Sequence, residues 1–164
     1  MEWAWFTYYQ WLRLFVDLFI LVGILVGIWQ LLEWRKMRRL EAMTAVNERL
    51  QAAEVRRARR TVYNLPEEAT PESAAHWPDE AKWDAELVCS NFEVVGLLAA
   101  EGVVPADWVA RNWRFAILNT WERALPLIEH YRQTRSHDYW HYFEKLVQRA
   151  RKLAPPATYT QGQG

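Results

Sequence analysis

The sequence predicts an all-α protein: one N-terminal transmembrane helix continuing into a stalk helix, then a cytoplasmic bundle of four or five helices. Three observations carry this. Residues 15–32 read FVDLFILVGILVGIWQLL, 18 positions with a single charge, Asp17. Residues 33–63 contain neither Gly nor Pro and are rich in Ala, Glu, Arg and Leu, which favour helix. From Asp79 onward apolar residues recur at spacings of three and four, and no alternating strand pattern stands out. Four segments result: an aromatic N-terminus and anchor (1–34), a basic juxtamembrane stalk helix (35–64), a cytoplasmic helical domain (65–153) and a tail expected to be disordered (154–164).

The anchor is just long enough, since about 20 apolar residues cross a bilayer. Trp3, Trp5, Phe6, Tyr8, Tyr9 and Trp11 precede it, an aromatic cluster suited to the headgroup layer. Arg35, Lys36, Arg38 and Arg39 follow it and are expected to contact lipid headgroups. That basic flank predicts the bacterial inner membrane as location, with the N-terminus outside and the C-terminal domain cytoplasmic. No basic region precedes the run and no small-x-small site follows it, so a permanent signal anchor is expected. Gly23 and Gly27 form G-x-x-x-G, the spacing that lets two membrane helices approach closely. Arg13 and Asp17, four apart, share a helical face near the outer interface and can pair. They suit either an ion pair at headgroup depth or a polar contact between protomers or at a pore mouth.

Composition narrows the rest. Of 164 residues 51% are hydrophobic, yet mean hydropathy is only −0.28, so the apolar residues are unevenly spread. Twenty basic residues balance 20 acidic ones, which gives no overall pull toward nucleic acid. The balance hides blocks: net −2 over 1–34, +6 over 35–61, −9 over 62–107 and +5 over 108–164. Anionic lipid attracts the basic stretch beside the membrane by about 1 kcal/mol per side chain near the surface. A single cysteine, Cys89, excludes a disulfide scaffold and a Cys-based zinc site.

In the stalk, Leu40, Met43, Val46 or Asn47, Leu50 and Ala53 form one apolar stripe. It suits packing on the domain or, equally, a short coiled coil with another copy. The Arg56, Arg57, Arg59 and Arg60 run reads as a solvated or lipid-facing helix face, since no nucleic-acid module surrounds it. Pro66, Pro71 and Pro78 mark a loop in which Thr70-Pro71-Glu72 can start one helical turn. The next helix presents Trp83, Leu87, Val88, Phe92, Val95 and Leu98 to the core and ends at Gly102. Cys89, beside that face, is expected to be a packed, inert thiol. Pro105 and Asp107 suit a helix start, and Val109, Trp113, Ala116, Ile117 and Trp121 give its core face. Pro126 is expected to kink or break this helix. A last helix, expected from near Ser136, carries Tyr139, Trp140, Phe143, Leu146, Val147 and Ala150 until Pro155-Pro156.

Few residues suggest chemistry. No phosphate-binding glycine loop, G-x-S-x-G, HExxH or C-x-x-C is present. His137, His141 and Glu144, at i, i+4 and i+7, read as an ordinary polar face; neither metal nor cofactor is expected. Arg132 and His137 make an R-x4-H pattern that resembles the signature of HEPN ribonucleases. That resemblance implies His137 in acid–base cleavage and Arg132 on the phosphate, with both expected near helix ends. About one such spacing arises by composition alone, and Arg123–His130 and Arg135–His141 give wider versions.

The runs CSNFEVVGLLAAEGVV, WVARNWRFAILNTWERALPLIEHYR and YWHYFEKLVQRA follow the anchor and basic stalk. In this order they resemble short single-pass bacterial membrane proteins with a helical C-terminal domain of unknown function. The architecture is also similar to the membrane-bound HEPN-like accessory protein of the Cas13b CRISPR system. That likeness implies homo-oligomerisation and phage defence through membrane damage, with Arg132 and His137 as relics or structural residues. The expected function is therefore a non-enzymatic, membrane-anchored protein that self-associates. Its expected partners are membrane lipids, further copies of itself and, on one reading, another membrane protein; nucleic acid is not expected. A membrane-tethered HEPN-like ribonuclease and a passive scaffold subunit are the rival readings.

Overall fold

A computed structural model describes residues 2–66 and 69–153; the predicted tail, 154–164, lies outside the described residues. These residues form seven helices and, among them, no strand. They are α1 (Glu2–Gln51), α2 (Ala53–Tyr63), α3 (Pro71–Ala75), α4 (Asp79–Ala100), α5 (Ala106–Asn112), α6 (Arg114–Thr134) and α7 (His141–Lys152). The chain divides into two compact units, Met1–Glu41 and Ala42–Gly164.

The first unit is helix α1 up to Glu41. Its aromatic N-terminal residues lie within the helix. The second unit is the helical domain, where α4 packs against α7, α2, α6 and α5 and α3 packs on α6. Phe92 of α4, Ile117 and Leu127 of α6 and Phe143 of α7 are fully buried at its centre. Phe92 and Phe143 stack with ring centres 5.0 Å apart, and Trp121 meets Phe143 edge-on at 5.3 Å.

Local chemistry explains several boundaries. Thr70 and Ser73 form a reciprocal capping box, and Pro71 opens α3 at the position where a missing N–H costs nothing. Gly102, at φ +71, closes α4: its N–H donates to the Ala99 carbonyl and the Val103 N–H to that of Leu98. This is a Schellman end, and its left-handed residue favours glycine.

Other boundaries differ from expectation. The predicted stalk helix breaks at Ala52, between α1 and α2. An unbroken helix would carry the Val46–Leu50 stripe on to Ala53, Glu54 and Arg57. The break instead turns Val55, Ala58 and Val62 to the core, and Ala53 is exposed, as is Leu40. Arg59 donates to the Leu50 carbonyl (3.4 Å), one of those orphaned where α1 ends. Pro126, expected to kink or break its helix, does not end it: α6 runs through Pro126, and the interruption falls upstream at Trp113. Proline there costs the bond to the Glu122 carbonyl, while buried Ala124, Leu127, Ile128 and Tyr131 hold the helix in place. Finally, α7 starts at His141 and not near Ser136. Trp140 precedes it in a left-handed conformation (φ 56), held by burial against Tyr131 and Tyr139. With no cap from Trp140, the end of α7 takes the Glu93 carboxylate, which accepts from the Phe143 N–H at 2.7 Å. Negative charge at a helix N-terminus is favourable.

Candidate functional site

Two groups of residues were singled out by sequence, one in each unit. In the first unit, α1 is the one helix among the described residues that is long and apolar enough to cross a membrane. Its best 18-residue window has mean hydropathy 2.3, and none of that window is buried. A cβ placed on Gly23 or Gly27 would meet no atom within 4 Å, so this face of α1 is open. Gln30, an amide just before the end of the apolar run, stands seven residues after Gly23 and therefore on the same face. Sequence reading did not single it out, although the i, i+4, i+7 spacing makes it legible. Arg13 and Asp17 are both exposed on α1, and among the described residues no ion pair joins them. Arg35, Lys36, Arg38 and Arg39 are exposed immediately beyond the run; Lys36 lies 3.9 Å from Glu33, and the Arg38 guanidinium sits over Trp34.

In the second unit, Arg132 is engaged at the α6–α7 corner, its side chain 22% exposed. Its Nε donates to the Tyr139 carbonyl (3.0 Å), its Nη2 pairs with Glu144 (2.7 Å), and its guanidinium lies over Trp121. Arg135 covers the Tyr131 ring at 3.9 Å, and the Tyr131 hydroxyl donates to Glu86. Burial, then the bond to Glu86, push the Tyr131 phenol up to about 12. His137 is 99% exposed in the turn, with only Asp138 nearby at 3.8 Å. The structure thus gives Arg132 a packing role at the α6–α7 corner, while His137 stands exposed in the turn beside Asp138, and among the described residues no contact between the two joins them into one site. Of the two alternatives, relic or structural residue, these contacts give Arg132 the structural one. His137→Ala should leave thermal stability within about 0.5 kcal/mol. Arg132→Ala should cost about 1–3 kcal/mol, because it strips bonds from a carboxylate and a carbonyl. Melting curves of the two variants check this.

His137 precedes α7 while His141 and Glu144 lie in it, so the predicted helical face does not form. Among the described residues no three His, Cys, Asp or Glu side chains gather in a metal-binding group. In the arginine run, Arg57 reaches buried Asp84 (3.6 Å) and Arg59 sits over Trp113, while Arg56 and Arg60 are exposed. Cys89 is fully buried, and burial, with Glu86 and Glu93 nearby, pushes its thiol far above the usual range. It should therefore resist thiol reagents in the folded chain, at any membrane orientation, and react in denaturant. A mass-shift assay reads this; rapid labelling of folded protein would contradict the packing described.

Fold and site define an all-helical protein, among the described residues, with one apolar N-terminal helix and a helical domain. Residues 18–150 match the domain of unknown function DUF4760, and the chain belongs to that family. No curated protein and no solved structure matches the chain.

Proposed function

We propose that this chain is a single-pass protein of the bacterial inner membrane that self-associates and acts without catalysis. The observation that carries this is the apolar window of α1, of which no part is covered by the chain itself. A helix apolar all round is stable where lipid or other helices surround it. The exposed Arg35, Lys36, Arg38 and Arg39 cluster suits the cytoplasmic headgroup layer and orients the N-terminus outward. Gly23 and Gly27 offer a second copy close backbone approach, with Gln30 as an amide able to bond across the pair. The likeness in architecture to the Cas13b accessory protein extends the proposal to phage defence by membrane damage. The engaged state of Arg132 argues for this reading over the ribonuclease.

Gly23→Leu with Gly27→Leu keeps the span apolar but holds helices apart, and should weaken self-association in detergent at least about tenfold. A reporter fused after Gly164 should be active only as a cytoplasmic fusion. Periplasmic activity would overturn the orientation, and unchanged association in the leucine variant would overturn the role of the glycine face.

A further inference from the structure

The helical domain carries two exposed aromatic side chains in settings of opposite charge. In the first turns of α4, Trp83 is 70% exposed. Asp79 and Glu80, four and three residues before it and so on its side of the helix, are exposed as well; Asp79 lies 3.8 Å from Lys82, a side chain only 24% exposed, and Glu80 has no basic partner among the described residues. By contrast Trp77, Trp113, Trp121 and Trp140 of the same unit are buried. In the first turn of α6, Phe115 is 74% exposed. It lines an open groove of 670 Å³ with Arg111, Arg114 and Leu118, where Glu122 is the one acid. Tyr63 of α2 meets Phe115 edge-on at 6.1 Å. Arg56 and Arg60, seven and three residues before Tyr63 on α2, are exposed and extend the basic rim.

The two patches lie at opposite ends of α6. Glu86, one turn beyond Trp83, bonds to Tyr131 near the end of α6, while Phe115 is near its start. Sixteen residues of helix separate Phe115 from Tyr131, about 24 Å at 1.5 Å per residue. One chain therefore cannot join its own patches, but two copies can. An anionic lipid surface would satisfy the basic groove alone and would repel Asp79 and Glu80. A second copy satisfies both.

We infer that Trp83, flanked by Asp79 and Glu80, docks into the Phe115 groove of another copy, where Arg111 and Arg114 face its acids. The inference rests on the self-association proposed above and gives it a form. Because the contact joins two different patches it is heterologous, and its repetition closes into a ring or runs on as a filament. It also gives the acidic 62–107 block and the basic 108–164 block a use that the balanced net charge conceals.

The test is the mass of the full chain in mild detergent, with Trp83→Ser and Phe115→Ser made separately. Both residues are exposed, so circular dichroism should match the parent. Each substitution removes an aromatic anchor and should weaken assembly by about 30-fold, the effect of losing an interface hot spot. Mixed together, the two variants should form pairs that neither forms alone, because each keeps the patch the other lacks. The measurement is repeated with Gly23→Leu and Gly27→Leu present, so that span contacts do not supply the pairs. A parent that stays a single copy at every concentration overturns self-association and this inference together. A parent assembly untouched by either serine overturns the inference alone and leaves the groove to another occupant, such as lipid. Loss of assembly without pairing in the mixture overturns the head-to-tail arrangement.

Discussion

Replacing Trp121 by alanine should unfold the helical domain or bring it close to unfolding. Trp121 is 5% exposed, and its edge rests on Phe143, which itself stacks on Phe92. The ring thus ties α6 to α7 and, through Phe143, to α4. It is also the surface over which the Arg132 guanidinium lies at 5.7 Å. Truncating a buried tryptophan costs about 3–5 kcal/mol, the lost transfer energy plus the cavity left behind. Domains of this size are stable by only about 5–15 kcal/mol. A fall in melting temperature of roughly 10–20 °C follows. The near-UV signal of the full chain in detergent reads it. Trp83→Ala, at an exposed position, is the control when both proteins are diluted below the concentration at which copies assemble, and should then shift the melt by little. A Trp121→Ala melt within about 3 °C of the parent would move Trp121 out of the core.

That contrast between two tryptophans shows where sequence stops being informative. Both sit on apolar stripes at helical spacing. Trp121 follows Ile117 and Trp113 into the core, whereas Trp83 begins a stripe whose buried members are Val88, Phe92 and Val95. Periodicity says that a face exists but fixes its edges only to within a turn. Boundaries set by local chemistry were legible: the Thr70 cap, the Pro71 start and the Gly102 stop each need one particular residue type. The breaks at Ala52 and Trp113 were not, because no glycine or proline marks them. Arg59 touches both, donating to the Leu50 carbonyl and lying over Trp113, and it does so only once α2 has docked. Arg132 is a parallel case. Its spacing to His137 is visible in the sequence, but its actual partners, the Tyr139 carbonyl and Glu144, are set by the left-handed turn at Trp140. The apolar window of α1 needs no tertiary information, which is why it was the most legible feature of the candidate site.

Gly96 to alanine should also destabilise the domain, against the local preference of the helix. Gly96 is in α4, where it faces α7 so closely that an added Cβ would stand 2.3 Å from the Tyr142 carbonyl oxygen and 2.6 Å from its carbon. Ordinary contact begins near 3.4 Å. The colliding atoms are backbone, so no rotamer change relieves them, and α4 and α7 must move apart by about 1 Å. That separation loosens the Phe92–Phe143 stack and stretches the bond from the Phe143 N–H to Glu93, which caps α7. Intrinsic propensity works the other way, favouring alanine over glycine inside a helix by about 1 kcal/mol. Overpacking a close interface costs about 1–3 kcal/mol, and weakening a helix cap adds about 1 kcal/mol more. The packing cost therefore wins, with a net loss of about 1–3 kcal/mol. Gly102→Ala separates the two effects: at φ +71 and with no atom within 4 Å of its Cβ, it should lose about 1 kcal/mol through backbone strain alone. Thermal melts of both variants decide the matter, and a Gly96→Ala protein that melts above the parent would mean that α4 and α7 do not approach this closely.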